Sequence, residues 1–199
     1  MTPGGRMSPE AALEALARHR SDEVVVTCMS AVRPWGRLGD HPLDFASADS
    51  AMGHTADFAL GIALARPERR VICLNGDGSM LMTLGTLVTI AGSGAHNLVL
   101  VVLNNGTYEI TGNQPTPAGG RIDFAGLARA AGFEQAVGFS DPDEFEAGLP
   151  GLLATPGPTL VDLRVDAGSE GPISRSATEQ AAYLQVSLET SAHRLRKAL

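Results

Sequence analysis

Two polar turns, each directly after an apolar run, carry the residues whose types and spacing suit chemistry. The first is Asn75-Gly76-Asp77-Gly78, which follows the β-branched run from Val71 to Leu74. The second is Asn104-Asn105-Gly106, which follows an apolar run from Asn97 to Leu103. Between the two turns, apolar residues recur at helical spacing from about Ser79 to Ala91. Strand, helix and strand in this order predict a βαβ unit with two parallel strands.

A right-handed crossover brings the carboxyl ends of both strands to one edge of the sheet, so Asp77 and Asn105 are expected to be neighbours in space. A carboxylate, an amide oxygen and nearby carbonyls are hard ligands, too few to enclose a cation, and Mg²⁺ uses such a partial shell when a phosphate supplies the rest. The start of the following helix suits the same phosphate, because its N–H groups are free and its dipole is positive there. The residues therefore predict a metal-bridged phosphate site. An ordinary Asp-Gly turn and an Asn-Asn-Gly turn in a doubly wound sheet are the alternative.

The order GDGS, helix, strand and NN resembles the signature of thiamine diphosphate-dependent enzymes. Within them, NNGTY and GNQPT resemble the cofactor (diphosphate)-binding domain of 2-oxo acid decarboxylases, most closely the beta-type subunit of sulfopyruvate and phosphonopyruvate decarboxylases, over roughly residues 22 to 166. The resemblance implies that Asp77 and Asn105 bind Mg²⁺ through side-chain oxygens and Thr107 through its carbonyl. The cofactor-binding residues that it implies are Ser50, Met52, Gly76, Asp77, Gly78, Ser79, Asn105, Thr107 and Tyr108.

By the same resemblance, Met52 stands where the family places a bulky apolar side chain beneath the thiazolium ring, and the Ser50 carbonyl would accept a hydrogen bond from the aminopyrimidine. Met52 as a flexible core filler is the alternative. His54, close by, is either a proton donor or a packing residue. No catalytic residue is assigned, because pyruvate decarboxylases carry a glutamate at the position of Thr111 and this chain does not. Glu109, which is close in sequence to Thr111, is not assigned the role of that glutamate.

Other candidates lie along the predicted ligand edge. Cys28 and Ser30, at the end of a strand predicted over 24–28, are candidates to touch the diphosphate, although such strand ends also occur without a ligand. The irregular stretch 107–120 supplies polar groups for a substrate: Tyr108, Glu109, Thr111, Asn113 and Gln114. Arg175 could pair with an anionic group on the substrate, but a surface arginine is the favoured interpretation.

The predicted fold is an α/β fold with a doubly wound, mainly parallel sheet and helices on both faces. Residues 1–20 are expected to form a flexible start and a helix, 21–166 the thiamine diphosphate/Mg-binding domain, and 167–199 a C-terminal extension and helix. A capping box at Ser176 predicts where that last helix begins.

Two further local predictions concern the sheet. Residues 31–45, with the single tryptophan Trp35, show no periodicity and are predicted to form a loop, with Trp35 as a lid-packing or interface residue. The stretch 158–165 alternates towards its end, which predicts an outer strand.

The length, composition and net charge of the chain limit the classes of protein to which it can belong. With 199 residues, 44% hydrophobic and 19% charged, the chain can bury one sizeable core, and its net charge of −7 argues against a nucleic-acid partner. No apolar run is long enough to cross a bilayer and the first ten residues lack the apolar centre of a signal peptide, so a cytoplasmic protein is expected. Cys28 and Cys73 lie in apolar runs and are expected to be buried thiols.

Thiamine diphosphate enzymes generally need a second domain, which holds the aminopyrimidine and supplies an activating glutamate, and one domain of this length does not contain both. The resemblance therefore implies a lyase subunit that decarboxylates a 2-oxo acid only with a separately encoded, pyrimidine-binding alpha-type subunit, as a hetero-oligomer. Three alternatives stay open. They are a carboligase or acyl-transferring synthase subunit, a β-type oxidoreductase subunit that serves ferredoxin, and a non-catalytic domain that retains the fold.

Overall fold

A computed structural model describes residues 6–46 and 52–199. The strands of the central sheet are β1 (Val24–Thr27), β2 (Asp44–Ala46), β3 (Val71–Gly76), β4 (Leu98–Asn104), β7 (Gln135–Phe139) and β8 (Thr159–Arg164). They lie in the order β2-β1-β3-β4-β8-β7, and every neighbouring pair is parallel. Two short strands, β5 (Thr107–Tyr108) and β6 (Gln114–Pro115), form a separate antiparallel pair.

Helices cover both faces of the sheet. They are α1 (Pro9–His19), α2 (Val32–Arg37), α3 (Thr55–Ala65), α4 (Asp77–Met82), α5 (Gly85–Gly92), α6 (Phe124–Ala131), α7 (Pro142–Ala154) and α8 (Leu188–Ala198). Buried residues of α1 and α7 and Trp35 of α2 belong to one hydrophobic core, and buried residues of α3, α5, α6 and α8 to another. Val32 of α2 belongs to a third, smaller cluster with Ala46, Ala181, Tyr183 and Leu184. The predicted doubly wound α/β fold is confirmed.

The two strands that precede the polar turns are central and buried. β3 pairs with β4 in register from Val71–Leu98 to Gly76–Leu103, and every residue of β4 is buried. Because both strands are covered on two faces, their sequences are continuous apolar runs rather than alternating ones. The parallel register brings the turn after β3 beside the turn after β4.

The single helix predicted from about Ser79 to Ala91 is wrong, because the chain forms two helices here. α4 ends at Met82 and α5 begins at Gly85, and between them Thr83 donates its hydroxyl hydrogen bond to the Gly53 carbonyl. This bond to a distant segment takes Thr83 out of helical geometry, with φ −140° and ψ 50°. Val88, one of the apolar residues of the predicted helix, is 62% exposed.

The loop predicted over 31–45 is also wrong, since it contains α2 and β2. Trp35 lies within α2 and is buried in the core shared with α1 and α7. A six-residue helix is too short to show helical periodicity in its sequence. Pro34 within it makes the helix still harder to recognise from the sequence.

Two predictions near the C-terminus are wrong, because the local sequence pattern does not determine the structure there. The stretch predicted as an outer strand forms β8, which lies between β4 and β7, and its alternation comes from Asp162, whose buried side chain is hydrogen-bonded. The last helix begins at Leu188 rather than near Ser176, and Ser187 caps it by accepting a hydrogen bond from the Thr190 amide.

Several further features of the structure follow from the local sequence. Ser8 caps α1, and Asp123 caps α6, which ends at Gly132 in the left-handed conformation. Cys28 and Cys73 are buried thiols. In the described part of the chain, no helix combines the length and apolar character that a membrane crossing requires.

Candidate functional site

The two polar turns meet at the carboxyl edge of the sheet. The Gly106 amide donates a hydrogen bond to Asp77 Oδ2 at 2.9 Å, which joins the turn after β4 to the turn after β3. A cleft with an empty volume of about 430 Å³ opens there. It is lined by Met29, Ser30, Met52, Gly76, Asp77, Gly78, Ser79, Asn105, Thr107, Tyr108, Glu109, Ile110 and Thr111. Of the nine expected cofactor-binding residues, eight line this cleft, and Ser50 lies outside the described residues.

Asp77 is a carboxylate held at low solvent exposure. Burial raises the pKa of Asp77, and hydrogen bonds from the amides of Gly78 and Gly106 oppose that rise. Taking a charged carboxylate out of water is unfavourable unless a positive group or several donors compensate. A cation in the cleft would favour the ionised form of this side chain.

Asn105 is fixed in one orientation. Its Oδ1 accepts a hydrogen bond from the Thr107 amide at 2.9 Å, and its Nδ2 donates to Glu109 Oε2 at 2.9 Å. Its main-chain oxygen accepts a hydrogen bond from Arg6 Nη1 at 3.0 Å. Thr107 Oγ1 also lies 3.4 Å from Oδ1, but its single proton is donated at the shorter distance of 2.7 Å to Asn113 Oδ1. An amide oxygen has two lone pairs, so Oδ1 keeps one for a further partner.

The turn after β3 leaves no room for a side chain at Gly78. A Cβ at this position would lie 2.6 Å from Tyr108 Cε1, which is closer than real contacts allow. The aromatic ring from β5 therefore packs directly against the backbone of the turn. This is the close backbone approach that glycine permits.

Beneath the turn lies a small polar cluster. Ser79 Oγ accepts a hydrogen bond from the Gly53 amide at 2.9 Å, which ties the turn to the residue after Met52. Cys28 Sγ donates to Asn75 Oδ1 at 3.1 Å, and burial raises the pKa of the Cys28 thiol. Of the two strand-end candidates, Ser30 therefore lines the cleft, and Cys28 lies below it.

His54 does not line the cleft. Its Nδ1 lies 3.0 Å from Asp57 Oδ2, and its side chain is 71% exposed. Thr86 Oγ1 donates to the other oxygen of Asp57 at 2.7 Å, so the pair is anchored to α5.

The polar side chains after β4 divide into two groups. Tyr108, Glu109 and Thr111 line the cleft. The other two are held within the hairpin and its surroundings, where Asn113 Nδ2 donates to the Gly168 carbonyl and Gln114 Nε2 to the Thr111 carbonyl. Arg175 binds main-chain oxygens of Tyr183 and Val186, which is a structural role.

Sequence reasoning missed several residues at the site, among them Met29 and Arg6. Met29 lines the cleft with φ at +48°, a conformation that residues other than glycine rarely adopt and that often marks functional sites. Arg6 reaches the Asn105 loop from the N-terminal segment. Nothing in the local pattern signals either feature, because both depend on contacts between distant segments.

The donor set fits a phosphate-bridging Mg²⁺. Asp77 and Asn105 bring one carboxylate and one amide oxygen to the same cleft, and neither turn carries a bulky side chain that would block an anion. In residues 6–46 and 52–199, no three His, Cys, Asp or Glu side chains gather as a metal cluster.

The comparisons with known proteins agree with this geometry. The family model of the thiamine pyrophosphate enzyme C-terminal TPP binding domain matches residues 35–163. The chain is 37% identical over 159 residues to the sulfopyruvate decarboxylase subunit beta of Methanothermobacter thermautotrophicus, covering 79% of this chain and 82% of that one. It is 40% identical over 125 residues to a phosphonopyruvate decarboxylase of Streptomyces hygroscopicus, covering 63% of this chain and 31% of that protein.

A solved structure shows the same fold. The thiamine diphosphate-dependent 4-hydroxybenzoylformate decarboxylase of Rhodococcus jostii RHA1 matches with a TM-score of 0.69 and 26% identity, over 85% of this chain and 34% of that chain. The chain thus spans about a third of the length of this enzyme and of the phosphonopyruvate decarboxylase. The family resemblance predicted from GDGS and NN is confirmed, and the chain belongs to the thiamine pyrophosphate enzymes, as a C-terminal TPP binding domain.

Proposed function

We propose that this chain is the diphosphate-binding subunit of a split thiamine diphosphate-dependent enzyme that decarboxylates a 2-oxo acid of the sulfopyruvate or phosphonopyruvate type. The observation that carries the proposal is the meeting of Asp77 and Asn105 at one cleft. The similarity to a separately encoded beta subunit over most of both chains supports the split arrangement. The division into a start (1–20), a cofactor domain (21–166) and an extension (167–199), and action in the cytoplasm, are part of the proposal.

In the proposed holoenzyme, the side-chain oxygens of Asp77 and Asn105 and the Thr107 carbonyl would hold Mg²⁺. The turn Gly76–Ser79 and Tyr108 hold the diphosphate, since this turn offers main-chain N–H groups without obstructing side chains. Met52 supports the thiazolium ring, and the Ser50 carbonyl accepts a hydrogen bond from the aminopyrimidine.

When bound, thiamine diphosphate supplies the electron sink that accepts the electrons released as carbon dioxide leaves. The chain's own residues orient the bound cofactor and enclose the cleft. The apolar surfaces of Met29, Met52 and Ile110 line the cleft and exclude water, which strengthens the electrostatic interactions inside it. A bound cation would favour the ionised form of Asp77 and oppose the rise in its pKa that burial causes.

The partner is proposed to be the alpha-type subunit, which holds the aminopyrimidine and supplies the activating glutamate. Four large apolar side chains on α3, α4 and α5 are exposed, and exposed apolar side chains suit contact with a partner: Phe58, Leu64, Met82 and Val88. Of these, Met82 packs beside Gly53, next to the cleft residue Met52.

The test is reconstitution. The chain is purified with whatever protein co-purifies, and carbon dioxide release from sulfopyruvate and phosphonopyruvate is measured with thiamine diphosphate and Mg²⁺. Release that requires both proteins is the expected result. Robust turnover by the chain alone contradicts the split arrangement.

Two other outcomes assign a different function. A carboligated product that forms when an aldehyde is added identifies a carboligase or acyl-transferring synthase. A complex that binds no thiamine diphosphate in calorimetry identifies a non-catalytic domain that retains the fold.

A further inference from the structure

Glu109 is an acidic side chain buried beside the Asn105 loop. It follows β5 in a short 3-10 turn, is 8% exposed and lines the cleft from behind Asn105. A buried carboxylate is unfavourable unless donors satisfy it, so its hydrogen bonds show what holds it in place.

In the part of the chain that the structure describes, the hydrogen-bond partners of Glu109 are N–H groups. Oε2 accepts from Asn105 Nδ2 at 2.9 Å and from the Gly168 amide at 3.2 Å. Oε1 accepts from the Glu170 amide at 2.9 Å. Two of these donors belong to the C-terminal segment, far from the cofactor motifs in sequence.

This arrangement selects one orientation of the Asn105 amide. An ionised carboxylate only accepts hydrogen bonds, so the side of the amide that faces Glu109 must be its NH₂ group. The Thr107 amide only donates, so the side that faces it must be Oδ1. The oxygen is thereby directed away from Glu109, and a turn of the amide by 180° would lose both hydrogen bonds.

We propose that Glu109 is a positioning residue, which holds the Asn105 amide with Oδ1 available to the metal ion. The proposal rests on the proposed function, because it assumes that Asn105 is a ligand of Mg²⁺. Partners that orient a metal ligand typically change metal affinity by about 10- to 100-fold when they are lost.

The first test compares two variants of Glu109. Mg²⁺ affinity is measured by calorimetry at saturating thiamine diphosphate on the chain with its co-purified partner. Glu109→Ala should weaken Mg²⁺ binding about 10- to 100-fold. Glu109→Gln should weaken it less, because the glutamine oxygen can still accept from Asn105 Nδ2. Equal losses in the two variants would mean that only the negative charge of Glu109 matters, and would overturn the proposal.

The second test reverses the hydrogen bond. Asn105→Asp places a carboxylate oxygen opposite Glu109, and adding Glu109→Gln supplies an NH₂ group that donates to it. The double variant should therefore bind Mg²⁺ more tightly than Asn105→Asp alone, although it has lost a negative charge near the cation. Weaker binding by the double variant contradicts the proposed orientation.

A matched control separates orientation from anchoring of the C-terminal segment. Arg33 holds that segment through the Gly171 and Pro172 carbonyls, Glu179 and the Glu170 carboxylate, which lies 3.8 Å away. Among the described residues, its hydrogen-bond and ion-pair partners do not include Glu109. Arg33→Ala should lower the thermal midpoint and leave Mg²⁺ affinity within about two-fold. An affinity loss as large as that of Glu109→Ala would overturn the proposal in favour of anchoring.

The wild-type measurement distinguishes the two levels of failure. Wild type that binds no Mg²⁺ with thiamine diphosphate and partner present overturns the proposed function and this inference together. Normal binding by both wild type and Glu109→Ala overturns this inference alone.

Discussion

Two aspartate–asparagine pairs lie at the same edge of the sheet, and their side chains have different kinds of hydrogen-bond partner. Asn104 and Asn105 are adjacent in sequence, yet Asn104 Nδ2 donates to Asp162 Oδ1 at 3.0 Å, and the loop of Asn105 meets Asp77. Both aspartates are buried, and burial raises the pKa of both. Burial and a shifted pKa therefore do not separate the structural pair from the candidate ligand pair.

The two pairs differ in which groups form hydrogen bonds with their side chains. Asp162 Oδ2 accepts from the Phe124 amide at 3.0 Å, so both oxygens of this carboxylate tie β8 to β4 and to the start of α6. Asp77 bonds to main-chain amides of its own turn and of Gly106, and it lines the cleft. A polar pair that joins elements stabilises the fold, whereas a pair that faces a cleft is available to a ligand.

The largest expected effect is on the cleft pair. Asp77→Ala should weaken Mg²⁺-dependent binding of thiamine diphosphate more than about 100-fold, because loss of a ligand exceeds the loss of an orienting partner. The thermal midpoint without cofactor should stay near the wild-type value, since water in the cleft replaces the lost acceptor. Calorimetry and thermal unfolding measure the two effects. A wild-type affinity in this variant would contradict the assignment of Asp77 as a ligand.

The structural pair should respond in the opposite way. Asp162→Ala leaves Asn104 Nδ2 with one acceptor fewer and the Phe124 amide without its side-chain partner, both in the interior, which should lower the free energy of unfolding by about 2 kcal/mol. The folded protein should bind thiamine diphosphate normally, because Asp162 does not line the cleft. Urea unfolding and calorimetry test both points. The comparison fails if cofactor affinity falls more than stability does.

A smaller effect is expected from crowding the cleft turn. Gly78→Ala should displace the Tyr108 ring and weaken cofactor binding by about 1 kcal/mol, the lower end of the cost of overpacking. Gly61→Ala is a matched control, because a Cβ there meets nothing within 4 Å. Combining Gly78→Ala with Tyr108→Ala removes the clash. If the added Tyr108→Ala weakens binding as much as it does in the wild-type background, the clash is not the cause.

The features that could be predicted from sequence are local ones. The cleft pair follows from two strand ends and a crossover of fixed hand, and the caps at Ser8 and Asp123 depend only on neighbouring residues. The features that were missed depend on distant contacts. Thr83 breaks a helix by bonding to Gly53, and Glu109 orients Asn105 while held by Gly168 and Glu170. The sequence NN likewise contains no local signal for which asparagine turns inward to Asp162.

The smallest expected effect concerns the pH dependence of the free energy of unfolding that Asp77 causes. Because the folded pKa of Asp77 is raised above the ordinary value of 3.8, the folded chain holds this proton to higher pH than the unfolded chain does. The contribution of Asp77 to the free energy of unfolding therefore falls as pH rises from the ordinary value through the raised one. Besides burial, the charge of Asp162 also contributes to the raised pKa of Asp77, so the difference between the stability curves of wild type and Asp77→Ala reports Asp77 together with its interaction with Asp162.

Without cofactor, wild type should lose stability relative to Asp77→Ala between about pH 4 and the raised pKa. Saturating Mg²⁺ and thiamine diphosphate should reverse this trend in wild type only, because the cation binds the ionised carboxylate and that form becomes more abundant as pH rises. Urea unfolding across this pH range, with and without both ligands, measures the difference. If the curves of the two proteins stay parallel in both conditions, Asp77 resembles a satisfied structural carboxylate, and the distinction between the two pairs is lost.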